Sequence, residues 1–192
     1  MAAWDDFIDV YFRSPTRDGP DGGVIERLNP FEREQAFQML LSAATQRPGQ
    51  IFAIAGLGYL RDSRAIGVLY EIMWTQRDET RLYAAFALWL INEDPVALET
   101  LCDAVMRRQR VGGGHERMSA AVFLRQIDRV EAQRALAVAI HDPDYLVRYH
   151  AYEGLLPVLG RSREIWNYVC KPDIHHHVRG RVDAALRRAG LV

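Results

Sequence analysis

Six histidines, two cysteines and scattered carboxylates are the residues of this chain with reach into metal, acid–base or nucleophilic chemistry. His115-Glu116 sets an imidazole beside a carboxylate, a pair that can share a cation. One such pair supplies only two of the ligands that a metal site needs. His175-His176-His177, close after Cys170, has the donor types of a soft-metal site. Adjacent helical residues point about 100° apart, and no second cysteine stands at ligand spacing. The run reads instead as the first turn of a helix. His141 and His150 lie across a turn and match no ligand motif. Gly56-Leu57-Gly58 lacks the preceding strand and opening helix that phosphate-binding glycines need, and reads as a place of close helix contact. No Gly-x-Ser-x-Gly segment marks a nucleophile. Cys102 and Cys170 fall on apolar-periodic stretches and read as core residues. The expectation is no catalytic residue, no metal site and no cofactor.

The elements beneath these residues repeat. Leu57, Leu88, Leu124, Leu155 and Leu186 are spaced 31, 36, 31 and 31 residues apart. Four residues before each stands Ala53, Ala84, Ala120, Ala151 or Val182. Three after each comes Leu60, Ile91, Ile127, Val158 or Ala189. Seven before stands Gln50, then Arg81, Arg117, Arg148 and Arg179. A period of this length marks a solenoid in which each unit is a helical hairpin stacked on the next.

Apolar periodicity and cap chemistry place the helices. A first amphipathic helix covers 3–13, carrying Trp4, Phe7, Ile8, Tyr11 and Phe12 on one stripe. The segment 14–23 is dense in breakers and reads as a loop. Asn29-Pro30-Phe31-Glu32 is a capping box opening a helix to about Gln46, which Arg47-Pro48-Gly49 ends. Hairpins follow at 50–61 with 63–76, 78–91 with 94–109, 115–128 with 131–141, and 144–159 with 162–171. A last helix covers 175–189. Ser63, Asp78, Asp94, Asp142 and Ser162 stand where caps belong. The turn at 110–114 absorbs the extra residues of the long interval, and strand signals are absent.

Asp142-Pro-Asp-Tyr-Leu-Val-Arg-Tyr-His-Ala-Tyr-Glu-Gly-Leu-Leu-Pro-Val-Leu-Gly160 resembles a HEAT repeat of the phycobilin-lyase type, with its acidic turn, Val-Arg and closing Leu-Gly. Segments 178–190, 78–90 and 115–124 are similar to it, so the resemblance covers roughly residues 48–192. It implies an all-α fold, a right-handed α-α superhelix of about five hairpin repeats. Residues 1–47 would form capping helices and a Gly/Pro-rich loop before a continuous 48–192 array. The resemblance also implies that Arg81, Arg117, Arg148 and Arg179 pair with turn aspartates in an internal polar ladder. HEAT-like deoxyhypusine hydroxylases use several His-Glu pairs, whereas Arg81, Arg148 and Arg179 follow Thr80, Val147 and Val178.

Helical geometry puts positions 0, −4, +3 and −7 from each leucine in one buried sector. Positions −5, −2 and +2 cluster on the opposite side, and the resemblance to HEAT-like arrays, whose second helices line the concave surface, implies that they face a groove. Read in order they give Phe52, Ala55, Tyr59; Tyr83, Phe86, Leu90; Ser119, Val122, Gln126; His150, Glu153, Pro157; and Arg181, Ala184, Arg188. The ridge begins aromatic and ends cationic, the side-chain types that dominate protein-binding hot spots. Phe52, Tyr59, Tyr83, Phe86, Trp89, Gln126, His150, Glu153, Arg181, Arg187 and Arg188 are the expected partner-binding residues. The opposing reading is that the Trp4-Phe7-Tyr11 stripe folds over the aromatic end and buries it.

Net charge of −1 conceals an asymmetry. Residues 1–106 hold 9 basic and 16 acidic side chains (−7), and 107–192 hold 15 and 9 (+6). Lys171 is the only lysine, a composition that suggests a GC-rich bacterial genome. The acidic N-terminus lacks a secretory pattern, and no apolar run reaches the roughly 18 residues of a membrane span. These features lead to an intracellular, cytoplasmic expectation without a membrane partner. The function expected is non-enzymatic protein binding, in its most concrete form a bacterial immunity protein (antitoxin) occluding a cognate toxin domain. The alternatives are a scaffold or adaptor of a bacterial complex, a phycobilin lyase-like enzyme, and a DNA-binding relative of HEAT-like glycosylases. The last would use Arg107, Arg108, Arg110, Arg125, Arg129, Arg134 and the arginines of 161–188. A near-neutral pI and an acidic first half argue against nucleic acid as the partner.

Overall fold

The computed structural model describes residues 2–13, 20–46, 50–107 and 114–192, and every regular element among them is helical. The chain is therefore all-α. It divides into two compact units, Met1–Leu98 and Glu99–Val192.

In the first unit, α1 (Ala2–Ile8) passes into a π-helical turn (Asp9–Arg13), followed by α2 (Gly22–Glu26) and α3 (Pro30–Gln46). Then come α4 (Ile51–Leu60), a 3-10 turn (Ser63–Ala65) leading into α5 (Ile66–Thr75), and α6 (Thr80–Asn92). The expected loop at 14–23 is helical from Gly22 onward, because Asp21 accepts a hydrogen bond from the Gly23 N–H and caps α2. Its first part, 14–19, lies outside the described residues, as do Arg47-Pro48-Gly49. Asn29 accepts from the N–H groups of Phe31 and Glu32 while Glu32 accepts from the Asn29 N–H, the capping box expected at α3. Asp62, not Ser63, caps the turn before α5 through the Arg64 N–H.

Helix α4 carries no charged residue and is enclosed by α3, α6, α2 and the π-helical turn. Its glycines permit this. A Cβ on Gly56 would lie 2.8 Å from the Tyr11 ring, and one on Gly58 would lie 2.6 Å from the Cα of Ala87 on α6. Helix α6 packs against both α4 and α5.

Helix α7 (Pro95–Met106) spans the division between the units, capped by Asp94 through the N–H groups of Val96 and Ala97. The second unit continues with α8 (Gly114–Leu124), α9 (Val130–Ala139), α10 (Tyr145–Gly154), α11 (Leu156–Leu159) and α12 (Arg163–Cys170). A 3-10 turn (His176–Val178) leads into α13 (Arg179–Arg188). Most of the turn expected at 110–114 lies outside the described residues. Helix α10 packs on α8, α9 and α12, and α11 packs on α13.

The five repeat leucines are fully buried, as are the residues four before them. The +3 positions are less uniform: Leu60 and Ile127 are buried, Ile91 and Val158 half-buried, and Ala189 exposed. Two of the four arginines are interior. Arg117 (7% exposed) donates through Nε and Nη2 to the Asp142 carboxylate at 2.8 and 3.2 Å. Arg148 (4% exposed) donates to the carbonyls of Asp142, Pro143 and Val169. Asp142 therefore serves the turn and the ion pair, accepting also from the Asp144 N–H, while Asp144 is the cap of α10. Arg181 of α13 pairs with Glu164 of α12. Arg179 departs from the ladder. Its side chain is exposed and lies near Asp183, one helical turn along in the same helix.

Candidate protein-binding surface

The ridge expected from the sequence divides between the units. In the first, Phe86 is 2% exposed and belongs to the core, a correction to its place among the partner-binding residues. The cause is that α6 has neighbours on two sides, so a helix without a charged residue from Leu82 to Ile91 buries more than one stripe. Ala55, at the equivalent of a groove position on α4, is buried for the same reason.

Phe52, Tyr59, Tyr83 and Trp89 are half-buried. Tyr59 lies against the backbone of α2, where a Cβ on Gly22 would come within 2.6 Å of its ring. Phe7 and Tyr11 are themselves core residues. Of the aromatic end, α2 thus covers Tyr59, and the π-helical turn packs on α4. Burial raises the Tyr59 and Tyr83 phenols, Tyr83 to about 12 with Glu79 and Tyr59 adding to the shift. Both remain neutral apolar-bodied rings with a hydroxyl tip.

In the second unit, Gln126, Arg181, Arg187 and Arg188 are exposed, and His150 and Glu153 half-exposed. Ser119 is buried rather than lining a groove. The end of α8 lies over α10: Arg125 Nη1 donates to His150 Nδ1 at 3.1 Å, which fixes the histidine proton on Nε2. Burial and the Arg125 charge push His150 down to about 4. A second histidine, His141, sits between Asp183 of α13 and Tyr168 of α12, at 2.9 Å from the carboxylate and 2.6 Å from the phenol. Its Nε2–H donates to Asp183, and its Nδ1 accepts from the Tyr168 hydroxyl. Burial holds it below its ordinary value, against the pull of Asp183. This chain of bonds ties α12 and α13 to the turn after α9.

These histidines make the second unit acid-sensitive. Above pH ~6.5 both are neutral whether the chain is folded or unfolded, and they cost nothing. As pH falls from ~6.5, the unfolded chain binds protons that the fold refuses, so stability declines until the folded values are passed. The Tm should therefore drop between about pH 7.5 and about pH 4.5, and drop less in His150→Gln. Equal losses in the two proteins would mean that His150 titrates normally in the fold.

A further cluster was not anticipated from the sequence. Tyr145, Tyr149 and Tyr152 run along α10, and Trp166 of α12 packs on two of them. The Trp166 ring lies 5.9 Å from Tyr149 and 5.9 Å from Tyr152 between centroids, at 77° and 52°. Tyr145, Leu146 and Trp166 remain exposed. The aromatic spacing along α10 was a readable signal, but its partner across the hairpin was not.

The expected chemistry-bearing residues do not converge. His115 and His176 are exposed, and His176 contacts the Asp173 carbonyl. Among the described residues no three His, Cys, Asp or Glu side chains lie close enough to hold a metal. Cys102 is buried and its thiol pushed up to about 11 by that burial, whereas Cys170, expected in the core, is half-exposed. Arg108 and Arg110 lie outside the described residues. Among the described residues no helix is long and apolar enough to cross a membrane. Comparison with family models, with curated proteins and with solved structures returns no match.

Proposed function

We propose that the chain is a HEAT-like α-solenoid of about five hairpin repeats that works by binding another protein and has no chemistry of its own. The observation that carries the reading is the two-faced character of the repeat helices in the second unit. Helix α13, with Leu186 fully buried, carries Arg181 and Arg188 on its solvent side, and α10, which leads into the buried Leu155, carries the half-exposed Glu153. Charged groups fixed on packed helices are pre-organised, so little ordering is lost when a partner docks. The repeat reading is supported by the equivalent burial of all five leucines and by the packing of α4 on α6 and of α8 on α10. The Arg117–Asp142 pair has the form that the resemblance implies.

In its most concrete form the partner is a toxin domain and the chain its cytoplasmic immunity protein. The test is affinity capture from source cells with the wild type and with Arg181→Glu/Arg188→Glu, followed by mass spectrometry. One stoichiometric partner held by the wild type and lost by the folded variant is expected. A stoichiometric bilin chromophore or retained DNA in place of a protein would displace this reading.

A further inference from the structure

The aromatic cluster of α10 and α12 opens on one side into a cleft of about 420 Å³. Trp166, Tyr152 and Leu156 form its apolar wall, and Arg161, Arg163 and Glu153 its polar rim. Trp166 is 36% exposed, although it is among the largest apolar side chains of the unit. Tyr152 is saturated at its far end, where its hydroxyl donates to the Gly160 carbonyl, so it offers the cleft only ring. The Ser162 hydroxyl is engaged as the cap of α12.

The two arginines are exposed, and neither has an ion-pair partner among the described residues. Glu164, next to Arg163 in the chain, is directed instead to Arg181 on α13. The rim therefore holds two cations and one carboxylate, Glu153. The charge excess of residues 107–192 has the same sign.

We propose that this cleft binds an acidic peptide segment of the partner protein. An apolar side chain of that segment seats on Trp166 and Tyr152, and an adjacent carboxylate is held by Arg161 and Arg163. The proposal rests on the protein-binding reading and names the partner's chemistry. Arginine presents a planar fork that fits a carboxylate, and Trp and Arg side by side form the usual centre of an interface hot spot. A cationic ligand is excluded by the two arginines. A nucleic-acid strand needs a track of cations and open ring faces for successive bases. Here only two arginines share the rim with a carboxylate, and of the two rings that line the cleft Tyr152 is buried, so a single exposed ring is on offer.

The test is selection of random displayed peptides on the immobilised full chain, then fluorescence anisotropy of the leading synthetic peptide. The expected peptides pair Asp or Glu with a neighbouring aromatic or aliphatic residue. Affinity should fall at least about tenfold with Trp166→Ala, with Arg161→Glu/Arg163→Glu, and with Glu→Gln in the peptide. Trp166→Phe, which keeps the wall, should retain most of it, and an unchanged far-ultraviolet circular dichroism spectrum in Trp166→Ala shows that the loss there is not unfolding. Basic peptides, no enrichment at all, or binding of an oligothymidylate lost in the same variants would overturn the proposal. Peptides lost in Arg181→Glu/Arg188→Glu but not in Trp166→Ala would overturn the cleft and leave the protein-binding reading standing.

Discussion

Arg117→Ala should destabilise the second unit by about 3–5 kcal/mol, the usual cost of removing one partner from a buried ion pair. Both side chains of the Arg117–Asp142 pair are 9% exposed, so the orphaned carboxylate has little access to water. Asp142 would keep only the Asp144 N–H as a donor among the described contacts. A fold is ordinarily stable by only ~5–15 kcal/mol, so the variant stands close to unfolding at 37 °C. The pairwise contribution is separated by a double-mutant cycle with Asp142→Asn, monitored by urea denaturation. Arg117→Met/Asp142→Asn should recover much of the loss, because no charge is then stranded. A loss below about 1 kcal/mol in Arg117→Ala would mean that the pair is solvated and the ladder only decorative.

Leu124→Ala should cost about 2–5 kcal/mol, transfer of the lost methyl groups plus the cavity they leave. Leu124 is fully buried, and the backbone around it cannot close freely because α8 is fixed against both α9 and α10. Gln126→Ala, two residues on and exposed, should change stability by no more than about 0.5 kcal/mol. The contrast between neighbours is the useful readout in a denaturation series. Similar small effects at both positions would remove the repeat leucines from the core.

The helices and the repeat leucines were legible because period and caps are local properties. Asn29 and Glu32 form their box within four residues, and the periodic leucines needed only a helix with a packed side. What was not legible depends on how many neighbours a helix has. Position −2 of the second repeat holds Phe86, which is solvent-facing if α6 packs on one side and buried if it packs on two. The absence of any charge from Leu82 to Ile91 was the available signal for the second case, and it outweighs the angular rule. Helix α2 was missed because Gly22-Gly23 disfavours a helix locally, while Asp21 and the contact with Tyr59 restore it. Asp142 looked like a cap because Asp-Pro usually is one; only the depth of Arg117 shows that its carboxylate has a second duty. The Trp166 cleft joins residues of α10, α11, α12 and the turn between the last two, and no spacing within one helix announces such a meeting.

The covering of α4 by the segments before it bears on how the chain is made. A ten-residue helix without a charge is, by itself, an aggregation-prone stretch. During synthesis, at ~5–20 residues per second, Phe7, Tyr11 and α2 leave the exit tunnel seconds before α4 does. The sticky helix thus emerges beside surfaces already waiting to receive it, while α6 is still to come. Moving the same cover behind α6 would leave the side of α4 that it shields open until the rest of the first unit has been made. Such a permuted chain would be expected to lose yield and solubility in cells before it lost any stability in the test tube.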